Sequence, residues 1–112
     1  MTHCVEIIAF TIRPERLAEF AAIKSQVASE ARQLPGLITS TTQHSLVSRG
    51  DFVDIMVWES QRAAVAGTAA FERLPSAPAF MAMMASPPTF QGRFAWSAGD
   101  EVLRLRSDEK VQ

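Results

Sequence analysis

Residues 51–60 read Asp-Phe-Val-Asp-Ile-Met-Val-Trp-Glu-Ser, followed by an Ala-rich run, then Phe71-Glu-Arg-Leu-Pro75, then Ser76-Ala-Pro-Ala-Phe80-Met-Ala-Met-Met. The first segment is rich in β-branched and aromatic residues, which predicts a strand over Phe52 to Trp58. Ser60 stands where a helix N-cap belongs, because its side-chain oxygen can accept from a backbone N–H of the first turn. The helix that follows carries Ala63, Ala64, Ala66, Gly67, Ala69 and Ala70. Such small side chains let a helix lie close to what it covers. Pro75 and Pro78 break the chain and restart it, and Phe80, Met83 and Met84 then share one face of a short second helix.

Upstream, Val5 to Ile12 is almost continuously apolar, broken only by Glu6, as in a strand covered on both faces. Arg13-Pro14-Glu15 suits a helix start. Leu17, Phe20, Ile23, Val27, Ala31 and Leu34 recur at steps of three or four, predicting an amphipathic helix of roughly five turns. Leu34-Pro35-Gly36 ends it. A second strand runs from Leu37 to His44, and Ser48-Arg49-Gly50-Asp51 has the composition of a hairpin loop. Pro87-Pro88 precedes a fourth strand from Thr89 to Trp96. The expected domain is residues 1–98. The tail, 99–112, contains Val102-Leu103-Arg104-Leu105 within a charged run and suits an extra strand or a flexible arm.

The order strand, helix, strand, strand, helix, strand implies an α+β, ferredoxin-like βαββαβ fold. Its antiparallel sheet is expected in the order four-one-three-two, with helices on one face. Strands one and three are apolar on both faces, so a second face needs a cover. A second copy of the chain supplies one, and a homodimer is expected.

Composition narrows the function classes. Hydrophobic residues make up 47% of 112 residues, enough for a packed core. A net charge of −1 argues against a nucleic-acid partner. No apolar run approaches the ~20 residues of a membrane helix. No basic, then apolar, leader is visible at the N-terminus, so a cytoplasmic location is expected. Cys4, the one cysteine, has no internal disulfide partner and offers no metal framework.

Val5-Glu6-Ile7-Ile8-Ala9-Phe10, Arg13-Pro14, Leu34-Pro35-Gly36-Leu37, Val53 to Ser60 and Pro78-Ala79-Phe80-Met81 together resemble the antibiotic biosynthesis monooxygenase-like family of dimeric α+β barrels. The resemblance runs from residue 4 to about 97. It implies the barrel and a pocket beneath the helices, faced by Trp58. The family includes cofactor-independent oxygenases of aromatic polyketides, haem-degrading enzymes and quinol oxygenases; cyclases and isomerases occur in related barrels. Many members carry a histidine about nine residues beyond the strand-three tryptophan, a position that falls near Gly67 here. Haem-degrading members use a strand-one asparagine, and this chain has neither Asn nor Tyr. The expectation is therefore an enzyme or pocket protein without metal, haem or flavin.

Glu6 and Asp54 are the principal candidates for chemistry. Each is a carboxylate inside an apolar strand, where an unpartnered charge is costly. A carboxylate in an apolar site can act as a general base; it can equally be a structural partner of Arg13, Lys24, Arg62 or Arg93. Alternation puts Glu6 with Cys4, Ile8 and Phe10, and Asp54 with Trp58. The family's register puts both sets toward the helices. Centring strands one and three on each other separates the carboxylates by about three residues, roughly 10 Å. His3 is a third catalytic candidate, since a related cyclase group places a histidine near the start of strand one. His44 reads as surface. Trp58, Phe10, Met56, Phe80 and Met84 are the expected walls for a small apolar or aromatic molecule. Two functions stand side by side, with a third variant of the first: a monooxygenase-like enzyme, a non-catalytic dimeric ligand-binding or structural protein, and a cyclase- or isomerase-like enzyme.

Overall fold

The computed structural model describes residues 2–95. Trp96 and the tail 99–112 lie outside them. The elements are β1 (Cys4–Thr11), a 3-10 turn (Pro14–Arg16), α1 (Leu17–Ala31), β2 (Leu37–His44), β3 (Asp51–Trp58), α2 (Gln61–Phe71), α3 (Ala77–Ala82) and β4 (Phe90–Ala95). The sheet runs β2-β3-β1-β4, with every adjacent pair antiparallel. This is the four-one-three-two order that the chain's pattern predicts. The first helix is shorter than expected. Its opening turn is 3-10 around Pro14, and the chain leaves the α-helix after Ala31 through turns that carry it to Leu34.

Strand pairing decides which residues face the helices. Cys4 lies opposite Trp58, Glu6 opposite Met56, Ile8 opposite Asp54 and Phe10 opposite Phe52. Arg93 of β4 lies opposite Glu6 on the other side, and Thr42 of β2 lies opposite Asp54. Residues directly opposite share a face, so all of these stand under the helical layer. Two apolar clusters occupy opposite ends of that layer. One is built on Phe10, Ile12, Phe20, Val27, Phe80 and Met83; the other on Cys4, Trp58 and Ala64. In the first, the Phe10 ring meets Phe80 edge-on at 5.4 Å and stacks on Phe52 at 5.8 Å, both favoured aromatic geometries.

Local chemistry explains how the helices reach these positions. Ser60 accepts a hydrogen bond from the Ala63 N–H at 3.1 Å and starts α2 directly after β3. Gly36 has φ of 83°, and a Cβ there would lie 2.6 Å from the Ala63 side chain, so the turn into β2 requires glycine both for conformation and for space. α3 is tied back to β1, since the Arg13 N–H donates to the Met83 carbonyl and the Ala85 N–H to that of Thr11. Glu30 of α1 accepts from both the backbone N–H and the hydroxyl of Ser76, fixing the chain before α3.

The small-residue face of α2 has a specific counterpart. A Cβ at Gly67 would fall 2.0 Å from Cη2 and 2.3 Å from Cζ3 of Trp58, so the outer edge of the indole lies directly against the helix backbone. The position where the family resemblance leads one to look for a histidine is filled by this ring. Gly67→Ala is expected to lower stability by about 1–2 kcal/mol, because overpacking outweighs the roughly 1 kcal/mol that Ala gains over Gly in a helix. Urea or thermal unfolding measures this, and Trp58→Phe in the Gly67→Ala background should recover part of the loss.

Candidate functional site

The two candidate carboxylates are both buried on the covered face of the sheet, Glu6 4% and Asp54 6% exposed. The register separates them by two residues along the strands, not three. Centring Val5–Ile12 on Phe52–Trp58 places the pairing too far along, because β1 runs from Cys4 to Thr11, one residue earlier at both ends, and β3 extends back to Asp51, which pairs with Thr11 and accepts a hydrogen bond from its hydroxyl. The separation along the strands is roughly 7 Å, still too far for the two groups to share one proton.

Glu6 is met from three elements. Trp58 Nε1 of β3 donates to Oε1 at 3.2 Å. Arg93 Nε of β4 donates to Oε2 at 3.1 Å, an ion pair whose arginine is partly in solvent. The Thr68 hydroxyl of α2 lies 3.0 Å from Oε2 and 2.9 Å from the Ala64 carbonyl, and it accepts from Arg93 Nη2 at 3.0 Å. With one proton, Thr68 serves Glu6 and Ala64 in alternation or as a shared bond.

Asp54 is met from two further elements. Lys24 Nζ of α1 donates to Oδ2 at 2.7 Å, and the Thr42 hydroxyl of β2 donates to Oδ1 at 2.7 Å. Both side chains of this ion pair are almost out of water, 12% and 9% exposed. The ammonium also sits 4.8 Å from the centre of the Phe80 ring and 5.9 Å from that of Phe10, within cation–π reach. Of the four cations considered from the sequence, the fold selects Lys24 for Asp54 and Arg93 for Glu6. Arg13 instead donates to the Met84 carbonyl, and Arg62 is exposed.

Between the two apolar clusters lies a cavity of about 130 Å³, partly open to solvent. Glu6, Asp54 and Trp58 all line it, as do Phe10, Met56, Phe80 and Met84. The structure thus brings together seven of the eight residues singled out from the sequence. His3 stands apart: it is exposed, ahead of β1, and not among the lining residues. Lys24, Thr68 and Gln91 also reach the cavity. Thr42 and Thr68 were missed from the sequence. Thr42 could have been found by counting back through the hairpin to the residue opposite Asp54. No comparable signal marks Thr68, whose role depends on how α2 is rotated over the sheet.

The cavity can enclose about one aromatic ring, since apolar cavities of ~150 Å³ admit benzene. A larger ring system must extend through the open side. Its walls are mainly apolar, and two hydrogen-bonded carboxylates provide the polar groups. Cys4 adds nothing nucleophilic here, because burial, followed by the Glu6 charge, pushes its thiol pKa up and disfavours the reactive thiolate. Among the described residues no three His, Cys, Asp or Glu side chains converge as metal ligands. None of the described helices is long and apolar enough to cross a membrane.

Neutralising either carboxylate should separate the two ion pairs energetically. Asp54→Asn strands the buried Lys24 ammonium and is expected to cost about 3–5 kcal/mol. Glu6→Gln leaves Arg93 free to turn to water and should cost about 1–2 kcal/mol. Chemical denaturation of both variants checks the ranking, which a larger loss for Glu6→Gln would reverse.

No family model matches the chain, and neither does any curated protein sequence. Solved structures do match its fold. SnoaB, a cofactor-independent oxygenase from Streptomyces nogalater, aligns with a TM-score of 0.68 at 21% identity, covering 89% of this chain and 96% of that one. A Caulobacter crescentus CB15 protein assigned by name to the antibiotic biosynthesis monooxygenases aligns at 0.73 and 17% identity, covering 87% and 92%. A Bordetella bronchiseptica protein assigned in the same way aligns at 0.70 and 16%, covering 88% and 100%. The architecture is therefore that of the antibiotic biosynthesis monooxygenase fold, matched over nearly the full length of each chain.

Proposed function

We propose that this chain is a cofactor-independent oxygenase of small, planar, aromatic molecules, working as a homodimer. The observation that carries the reading is the cavity under the helices, with the Trp58 indole in its wall and two buried carboxylates facing it. The shared fold with a cofactor-independent oxygenase supports it by analogy. Without a flavin or metal, the electrons that reduce O2 must come from the substrate. Removing a proton from a hydroxyaromatic makes it electron-rich enough to give them. The base for that step is Asp54 or Glu6, reached within the cavity, and Trp58 is the flat surface on which the ring rests. Phe10, Met56, Phe80 and Met84 hold the ring away from water.

A non-catalytic binding protein is the second reading, favoured by the hydrogen-bond partner found on every oxygen of both carboxylates. A cyclase or isomerase would use the same base without consuming oxygen. Oxygen uptake with dihydroxynaphthalene, measured against its spontaneous oxidation, separates the three. The expected result is an enzyme-dependent rate that Asp54→Asn or Glu6→Gln reduces by at least about 100-fold, the low end of what general base catalysis contributes. Binding without oxygen uptake would favour the second reading. Conversion without oxygen uptake would favour a cyclase or isomerase.

The homodimer rests on the other face of the sheet. Val5, Ile7 and Ala9 of β1 and Val53, Ile55 and Val57 of β3 point away from the helices and are only half-buried in one chain. Phe90 and Phe94 of β4 share that face, stacked at 6.3 Å, and each is 47% exposed. An apolar face of this extent is characteristic of an interface. Sedimentation should give a dimer at micromolar concentration, and Ile55→Lys, which puts a charge at the centre of the face, should give a folded monomer.

A further inference from the structure

The geometry points to Lys24 as the residue that selects the ligand: together with Asp54 it makes the cavity a site for an acidic phenol or enol, held there as its anion. This deepens the reading of the cavity as an aromatic site and rests on it. Lys24 lies on α1, across from the strands that carry Glu6 and Asp54, and is one of the residues lining the cavity. An ammonium has three N–H donors. Among the described residues Asp54 Oδ2 is the one acceptor bonded to Nζ, and the rings of Phe80 and Phe10 are its other neighbours. The remaining N–H groups have no bonded acceptor among the described residues, so a ligand oxygen within reach of Nζ would satisfy a largely buried donor. Asp54 holds two bonds, from Lys24 and Thr42, and keeps lone-pair capacity for a proton.

The pair also removes the usual obstacle to making an anion in an apolar site. The O–H bond of the ligand breaks, and a new O–H bond forms on the Asp54 carboxylate. The negative charge moves from Asp54 to the ligand oxygen. Lys24 is the counterion before and after, so the site carries the same net charge throughout and no unpaired ion is created in the low-dielectric space. The ligand anion takes over the ion pair that Asp54 gives up. The other charged groups around the cavity are Glu6, already neutralised by Arg93, and Glu72 at the end of α2, which is exposed. A hydrocarbon of the same shape gains only the apolar contacts, and an ether can accept from Lys24 but has no proton to give and cannot make this exchange.

The test uses para-nitrophenol, whose phenolate is yellow, and its ether para-nitroanisole. Binding is followed by absorbance and by thermal shift in the full chain. At a pH below the phenol's own pKa, the wild type should bind it as the yellow anion and bind it more tightly than the ether. The double variant Lys24→Met/Asp54→Asn leaves no charge stranded. It should still bind both compounds, with the phenol colourless and its bound phenolate-to-phenol ratio lower by roughly tenfold or more, one pKa unit. Asp54→Asn alone gives a second reading. Its stranded ammonium should bind the phenolate more tightly than the wild type does, and nitrophenolate should restore part of the melting temperature that the substitution removes. Equal binding of phenol and ether by the wild type, with no colour, would overturn the selection by Lys24 while leaving the aromatic cavity standing. Binding of neither compound would overturn the aromatic cavity, and this inference with it.

Discussion

Glu6 and Asp54 stand on the covered face of the sheet, where an uncompensated charge would cost several kcal/mol, and the fold answers with groups from five other sites, on α1, β2, β3, α2 and β4. Glu6 draws Trp58 from β3, Thr68 from α2 and Arg93 from β4; Asp54 draws Lys24 from α1 and Thr42 from β2. Each bond constrains a different degree of freedom. Arg93 and Thr42 match the register of the outer strands, since each lies directly opposite the carboxylate it serves. Lys24 and Thr68 match the rotation of α1 and α2 over the sheet. Moving any of these elements by one residue would leave a buried ion without its partner.

The cavity follows from the same arrangement. Two apolar clusters close the ends of the helical layer, and the carboxylates stand between them. The space between the clusters is lined by both carboxylates and by Trp58. Trp58 joins the two roles. Its indole N–H holds Glu6, its ring lies against the backbone at Gly67, and one side of it is left as cavity wall. An indole at that place leaves no room for a side chain as large as histidine at position 67. The histidine that the family resemblance would put near there is therefore replaced by packing, and the chemistry left to the cavity is that of carboxylates and cations.

Much of this was legible in the chain. The strand–helix–strand–strand–helix–strand order and the shared face of Asp54 and Trp58 follow from periods of two and three to four in apolar residues, because the backbone imposes those periods locally. The strand order follows from the topology which that succession implies, and the placing of Glu6 on the same face as Asp54 and Trp58 from the family resemblance. The carboxylates announced themselves by interrupting apolar strands. The separation between them differs by one residue from the expected one, because antiparallel register depends on where both strands begin and end: β1 runs from Cys4 to Thr11, and Asp51 joins β3 through its pairing with Thr11.

What the sequence by itself determined, then, is the order of the elements, the grouping of side chains by face within each strand and the identity of the carboxylates inside apolar strands, all properties of short segments. Only the tertiary structure decided which cation answers which carboxylate. Four candidates were open, and the choice of Lys24 and Arg93 depends on helix rotation and strand register, which bring together residues 30 and 87 positions apart. The threonines completing each network, and the exclusion of His3 from the cavity, were decided at the same level. A hydrogen bond requires its partners within about 3 Å, and no pattern of residue types along a chain carries distances that fine.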